Sequence, residues 1–201
     1  MAGRAQAGCT AFDGPRRIAS GDLASVAAKV KRVVDRDERA AVLMFDDATG
    51  RVIDIDTRGT VDEVLGRLVP APAGGPQDAV PDQPAAAAPR GPGRPKLGVV
   101  AREVTLLPRH WEWLATQPGG ASVALRKLVE EARRANADKD RVRRTQEACY
   151  RFMSAMAGDR PGFEEAARAL FAGNRQAFEE RTASWPVDIR DHARKLAATA
   201  F

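Results

Sequence analysis

Four acids crowd one short stretch of this 201-residue chain: Asp46, Asp47, Asp54 and Asp56. Neighbouring carboxylates can hold a divalent cation or share acid–base work. Aspartate is also a turn former and the wet face of a hairpin, and the order here lacks the ligand spacing of a calcium loop. Cys9 and Cys149 stand apart from each other and from the two histidines, His110 and His192. No zinc spacing exists, and both thiols read as packing residues. His110 and Glu112 lie two apart, on different sides of a helix. No glycine-rich phosphate loop follows a strand, and no Ser/His/Asp or Cys/His set is present. The expectation is a protein with no catalytic centre, no metal and no cofactor.

The other chemistry open to this composition is phosphate binding. Net charge is +5, unevenly spread. Residues 90–144 hold thirteen Lys/Arg against six acids, a net +7, which leaves −2 for the rest. A basic middle favours nucleic acid, because each phosphate neutralised releases counterions. Helix faces laced with Arg and Glu are also ordinary solvated surface, so the charge alone is compatible with a protein-interaction scaffold.

The elements that would position these groups can be read in order. Residues 1–9 are expected as a disordered tail. Asp13-Gly14 marks a small hairpin, and Asp22 caps a helix carrying Leu23, Val26, Ala27, Val30, Val33 and Val34 at the 3.6-residue period. Val42–Phe45 is a continuous apolar run that suits a strand buried on both faces, and Arg51–Asp56 returns as its partner. Thr60 with Glu63 forms a capping box for a short helix. The reading for residues 10–69 is a ββαββα domain.

Residues 70–98 change character: eight of the thirteen prolines lie here amid Ala and Gly, a linker that cannot bury a core. Beyond it, Arg102–Leu106 alternates like a strand and Pro108 opens a helix. Pro118-Gly119-Gly120 stops that helix, and Ser122 caps a second with Leu125, Leu128, Val129 and Ala132 as its apolar stripe. Trp111 and Trp113 cannot share a face, and one is expected in the core. From Asp140 onward the pattern is helical, with Cys149, Phe152, Met153 and Met156 in a stripe, helices starting near Asp159, Asn174 and Pro186, and an accessory bundle over 137–201.

Residues 99–136, in this strand, helix, glycine turn, helix order, resemble a ribbon-helix-helix DNA-binding module. The resemblance implies a homodimer whose paired strands enter the major groove, with the second helix's N-terminal amides on a phosphate. Gly120, Ala121 and Ser122 would then contact the phosphate, with Arg109, Arg126 and Lys127 nearby. One strand face carries Arg102, Val104 and Leu106; the other carries Glu103, Thr105 and Leu107. The linker's end, with Arg90 and then Gly93-Arg94-Pro95-Lys96, resembles an AT-hook, which lays arginines in a narrow minor groove. Pro92 stands where the hook's first core arginine belongs.

Phe45-Asp46-Asp47-Ala48-Thr49-Gly50-Arg51, Gly93–Gly98, Glu103–Ser122 and Tyr150-Arg151-Phe152-Met153 together resemble an uncharacterised bacterial family, a domain of unknown function, over nearly the whole chain from Thr10. These readings make an α+β protein of the cytoplasm with no membrane partner: a homodimeric DNA-binding regulator or nucleoid-associated protein, or the scaffold.

Overall fold

A computed structural model of the chain describes residues 8–68, 100 and 102–201. The hairpin expected at Asp13-Gly14 forms: β1 (Cys9–Asp13) pairs antiparallel with β2 (Arg16–Gly21), and Gly14 turns at φ 53°, where glycine meets no Cβ penalty. Asp22 caps α1 (Leu23–Arg36), its carboxylate accepting from the Ser25 N–H at 2.9 Å. β3 (Val42–Asp46) lies beside β1, and β4 (Val52–Ile53) beside β3. The result is a four-stranded antiparallel sheet in the order β2-β1-β3-β4. The capping box also forms. The Thr60 N–H meets the Glu63 carboxylate at 2.7 Å and the Glu63 N–H meets Thr60 Oγ1 at 3.3 Å, at the head of α2 (Val61–Leu68). Cys9, expected in the tail, instead starts β1 and is buried. The rest of that tail through residue 7, and the linker's residues 70–98, lie outside the described residues.

The return strand is shorter than expected over Arg51–Asp56. Only Val52 and Ile53 pair, with Phe45 and Met44. Asp56 bonds locally instead, taking the Arg58 N–H at 3.0 Å and its guanidinium at 2.9 Å, a turn that competes with the ladder.

Five helices follow: α3 (Pro108–Ala115), α4 (Gly120–Ala157), α5 (Phe163–Phe171), α6 (Arg175–Arg181) and α7 (Val187–Leu196). Asn174 caps α6 as expected, accepting from the Ala177 N–H at 3.0 Å. α5 begins at Phe163, with Asp159 and Pro161 in the turn before it.

Alternation along β1 and β3 sends side chains to both faces of the sheet. Cys9, Ala11 and Met44 pack with Val26 and Val30 of α1. Phe12 and Phe45 point the other way, into a core with Cys149, Phe152, Leu170, Phe178 and Ile189. The two-sided burial read from Val42–Phe45 holds at the centre of the strand, with Met44 on one face and Phe45 on the other. Phe152 lies 5.4 Å from Phe12 and 5.0 Å from Phe45 between ring centroids. Each such ring contributes on the order of 2–3 kcal/mol by burial alone. The 10–69 and 137–201 stretches, read as separate domains, therefore share one core. The described residues up to 68 and from 136 onward make one compact unit, and those from 100 to 135 belong to a second.

In the second unit three expectations change. Residues 102–107 carry no strand, because an extended segment becomes one only when a neighbour completes its ladder, and none of the described residues does so. α4 starts at Gly120, which places Ser122 inside the first turn; its hydroxyl accepts from Arg126 Nη1 at 3.1 Å in place of capping. The helix continues through the boundary drawn near residue 136. No Gly or Pro interrupts 121–157, and Glu130–Arg133, Glu130–Arg134, Asp138–Arg141 and Asp140–Arg143 pairs support it along its exposed turns.

Candidate functional site

The residues expected to touch DNA fall into two groups. Arg90, Arg94 and Lys96 lie outside the described residues. Arg102, Thr105, Arg109, Gly120, Ser122, Arg126 and Lys127 are all exposed, on the extended segment, on α3 and in the first turns of α4. Arg102, Arg109, Arg126 and Lys127 form no ion pair among the described residues, whereas Arg133, Arg134, Arg141 and Arg143 further along α4 are matched to carboxylates. Lys139 and Arg144 of α4 also form no ion pair among the described residues, so the cations left to meet a phosphate lie at the front of the unit and again further along the helix.

The same unit is short of core. Leu114 and Ala124 are its only buried residues among those described. Trp111 and Trp113 are 43% and 50% exposed, so neither takes the core place expected for one of them; Leu114, on the remaining side of α3, takes it. Leu106, His110, Trp113, Leu114, Leu125 and Leu128 line a hollow of about 280 Å³. The stripe expected to bury Leu128 and Val129 leaves both exposed.

The first unit holds a polar cluster that no reading of the sequence joined. Asp47, just past β3, accepts from Thr10 Oγ1 at 2.8 Å and from Lys195 Nζ at 2.7 Å. His192 of α7 faces the same carboxylate, Nε2 to Oδ1 at 3.6 Å, and its ring lies 4.6 Å from Phe152 and 5.4 Å from Phe12. The imidazole is fully buried, and neither ring nitrogen has a hydrogen-bond partner among the described residues. Burial pushes its pKa down to about 4; the nearby Asp47 opposes the shift, and Lys195 and Arg17 add to it. His192 is thus held neutral.

The thiols do not make this cluster reactive. Burial, with the charges of Asp47, Asp22 and Asp46, pushes Cys9 up to about 11, and burial pushes Cys149 to about 12. Neither offers a thiolate near neutral pH. Of the four acids that opened the sequence reading, Asp46 is occupied by its own turn, accepting from the Ala48 and Thr49 N–H groups at 3.0 and 2.7 Å. Asp56 is held low by the Arg58 side chain and backbone. Among the described residues no group of three or more His, Cys, Asp or Glu side chains comes together to hold a metal ion. No helix among them is long and apolar enough to cross a membrane.

A small antiparallel sheet with α1 on one face and C-terminal helices on the other defines a mixed α+β protein, mostly helical. The chain belongs to DUF2239, described as an uncharacterized protein conserved in bacteria, which it matches over residues 8–197. No curated protein and no solved structure matches it.

Proposed function

We propose that the chain is a homodimeric DNA-binding protein, a transcriptional regulator or nucleoid-associated protein, that meets the duplex through residues 102–127 and the basic end of the linker. The supporting observation is the exposed set Arg102, Arg109, Arg126 and Lys127, on the extended segment, α3 and the first turns of α4, which carries no carboxylate partner among the described residues. The Ala121 N–H in the first turn of α4 adds a donor of the kind a phosphate takes, whereas the Gly120 N–H is already given to the Gln117 carbonyl at 3.0 Å. Thr105 and the ribbon-helix-helix likeness supply the groove-reading part of the proposal, and Arg90, Arg94 and Lys96 an AT-hook-like contact.

The test is a titration of the full chain against random and A·T-rich duplexes at two salt concentrations. Binding that weakens steeply with salt is expected, and Arg126→Ala with Lys127→Ala should flatten that slope by about two phosphates' worth. Arg94→Ala with Lys96→Ala should remove an A·T preference. No binding at low salt overturns the proposal.

A second reading, a protein-interaction scaffold, is favoured by the ion pairs along α4. Arg133, Arg134, Arg141 and Arg143 are neutralised where they stand, which lowers the positive charge of the basic middle. Self-association without nucleic-acid affinity would select it.

A further inference from the structure

We propose that the open end of the layer between α1 and the sheet binds a small aliphatic amine, a hydrocarbon body of about five to seven carbons carrying a primary ammonium group. The site lies in the first unit and stands whether or not the chain binds DNA.

The site exists because the sheet stops early. β3 runs from Val42 to Asp46, but only Met44 and Phe45 find partners on β4. A continued ladder would set Leu43 against Asp54 and Val42 against Ile55; the chain leaves the sheet instead. Arg67 of α2 holds it away, its Nη2 donating to the Asp56 carbonyl at 3.0 Å and to the Arg58 carbonyl. Asp56 in turn takes the Arg58 guanidinium at 2.9 Å. Between α1 and residues 53–57 lies a hollow of about 190 Å³. Its walls are Val30 and Val34 of α1, Val42 and Met44 of β3, and Ile53 and Ile55, all in or against the core beneath α1. One wall is fixed by that core and the other by the arginine clasp, so the hollow is formed before any ligand arrives.

Two polar side chains line the same hollow, and the fold uses neither. Among the described residues the Asp54 carboxylate has no hydrogen bond or ion pair, and the Thr57 hydroxyl has no hydrogen bond. Asp46 and Asp56, by contrast, are taken up by their own turns. Asp54 is also the one charged side chain among the lining residues. An ammonium group suits this pair: it can donate to both oxygens and keep its third N–H for water. A carboxylate or phosphate would be repelled there, with no lining cation to offset Asp54. Size narrows the class further. An apolar cavity of about 150 Å³ takes a benzene-sized molecule, so this one suits roughly six to eight non-hydrogen atoms.

The methionines report on the site directly. Met44 lines the hollow, whereas Met153 and Met156 belong to the core on the other face of the sheet. The full chain, labelled at its methionine methyls, is titrated with 3-methylbutylamine. The Met44 resonance should move and saturate with a dissociation constant on the order of a millimolar, while Met153 and Met156 stay in place. 3-Methylbutanol lacks the charge, and leucine adds a carboxylate beside it; each should bind about fivefold more weakly or worse. Asp54→Asn should weaken the amine to the level of the alcohol. Asp54 is exposed, so this variant keeps the fold. A Met44 resonance that does not respond overturns the proposal. So does equal affinity for the amine and the alcohol, or an Asp54→Asn variant that binds the amine as tightly as the unmodified chain.

Discussion

Lys195 Nζ donates to Asp47 Oδ2 at 2.7 Å, joining α7 to the turn after β3 across 148 residues of chain. The two ends of this bond are not equal. The Lys195 side chain is 55% exposed and the Asp47 side chain 17%. Removing the lysine deletes a solvated ion pair, which is worth about 0.5 kcal/mol. Removing the carboxylate also strips a partner from the buried Thr10 hydroxyl, leaving it only Ser20 Oγ at 3.1 Å. Asp47→Ala should therefore destabilise by about 2 kcal/mol and Lys195→Ala by much less. Urea unfolding of the two variants checks the order; equal losses would mean that the ion pair dominates.

His192 gives the unit a defined acid sensitivity. Its folded pKa, about 4, lies below the ordinary value of 6.5, so the unfolded chain binds the proton more readily. Stability from this group is complete above pH 6.5 and is lost as pH falls toward 4, by up to about 3 kcal/mol. The groups around the imidazole are Asp47, Lys195 and Arg17, with Phe12 and Phe152 on its ring. The exposed carboxylates Asp22, Asp56 and Glu63 are held below their ordinary values by hydrogen bonds, so their contributions fade at lower pH than the upper part of this window. Denaturation midpoints between pH 7 and 5 should fall for the unmodified protein and stay nearly flat for His192→Gln.

What the sequence discloses about this fold is what is local. Asp22, Asn174 and the Thr60/Glu63 pair announce their helices because a cap is satisfied within three residues. Asp13-Gly14 announces its hairpin for the same reason. The contact of Asp47 with His192 leaves no such trace, since no periodicity connects residues so far apart. The apolar run Val42–Phe45 did carry a long-range message: a strand buried on both faces needs a layer on each side. One layer is α1, and the other is the helical stretch that composition had set apart as a different domain. Arg102–Leu106 shows the reverse case, where strand-forming residues remain without a ladder because propensity cannot provide the neighbour.

Gly50 marks where the sheet's turn meets α4. Its φ is 63°, and a Cβ built there would lie 1.9 Å from the Ala148 carbonyl oxygen. Both the backbone conformation and the close approach exclude a side chain, and the obstacle is backbone that cannot swing away. Arg151 holds the same turn, donating to the Thr49 carbonyl at 2.9 Å. Gly50→Ala should destabilise by about 3 kcal/mol or more, with the turn displaced from the helix. A thermal melt with Gly66→Ala as control separates this from a generic substitution effect: nothing lies within 4 Å of the Cβ position at Gly66, which sits within α2. There the change should be neutral or slightly stabilising.

The shared core makes a prediction about the chain's divisibility. Phe12 and Phe45 are fully buried, and among the described residues the aromatic rings that cover them beyond each other are Phe152 and His192. A fragment ending at residue 69 retains the cluster of Ala11, Val26, Val30 and Met44 beneath α1. It exposes the opposite face of the sheet. At roughly 2–3 kcal/mol per phenylalanine, the loss is comparable to the whole stability of a domain this small. The fragment should show no cooperative thermal transition and should bind a dye that reports exposed apolar surface. In the full chain, Phe152→Ala should cost about 4 kcal/mol, because it opens a cavity against both strands at once. It should also lower the protection of β1 and β3 amides in hydrogen exchange together with those of the C-terminal helices. A fragment that melts sharply by itself, or exchange that changes in the helices alone, would show that the sheet's second face is not held by them.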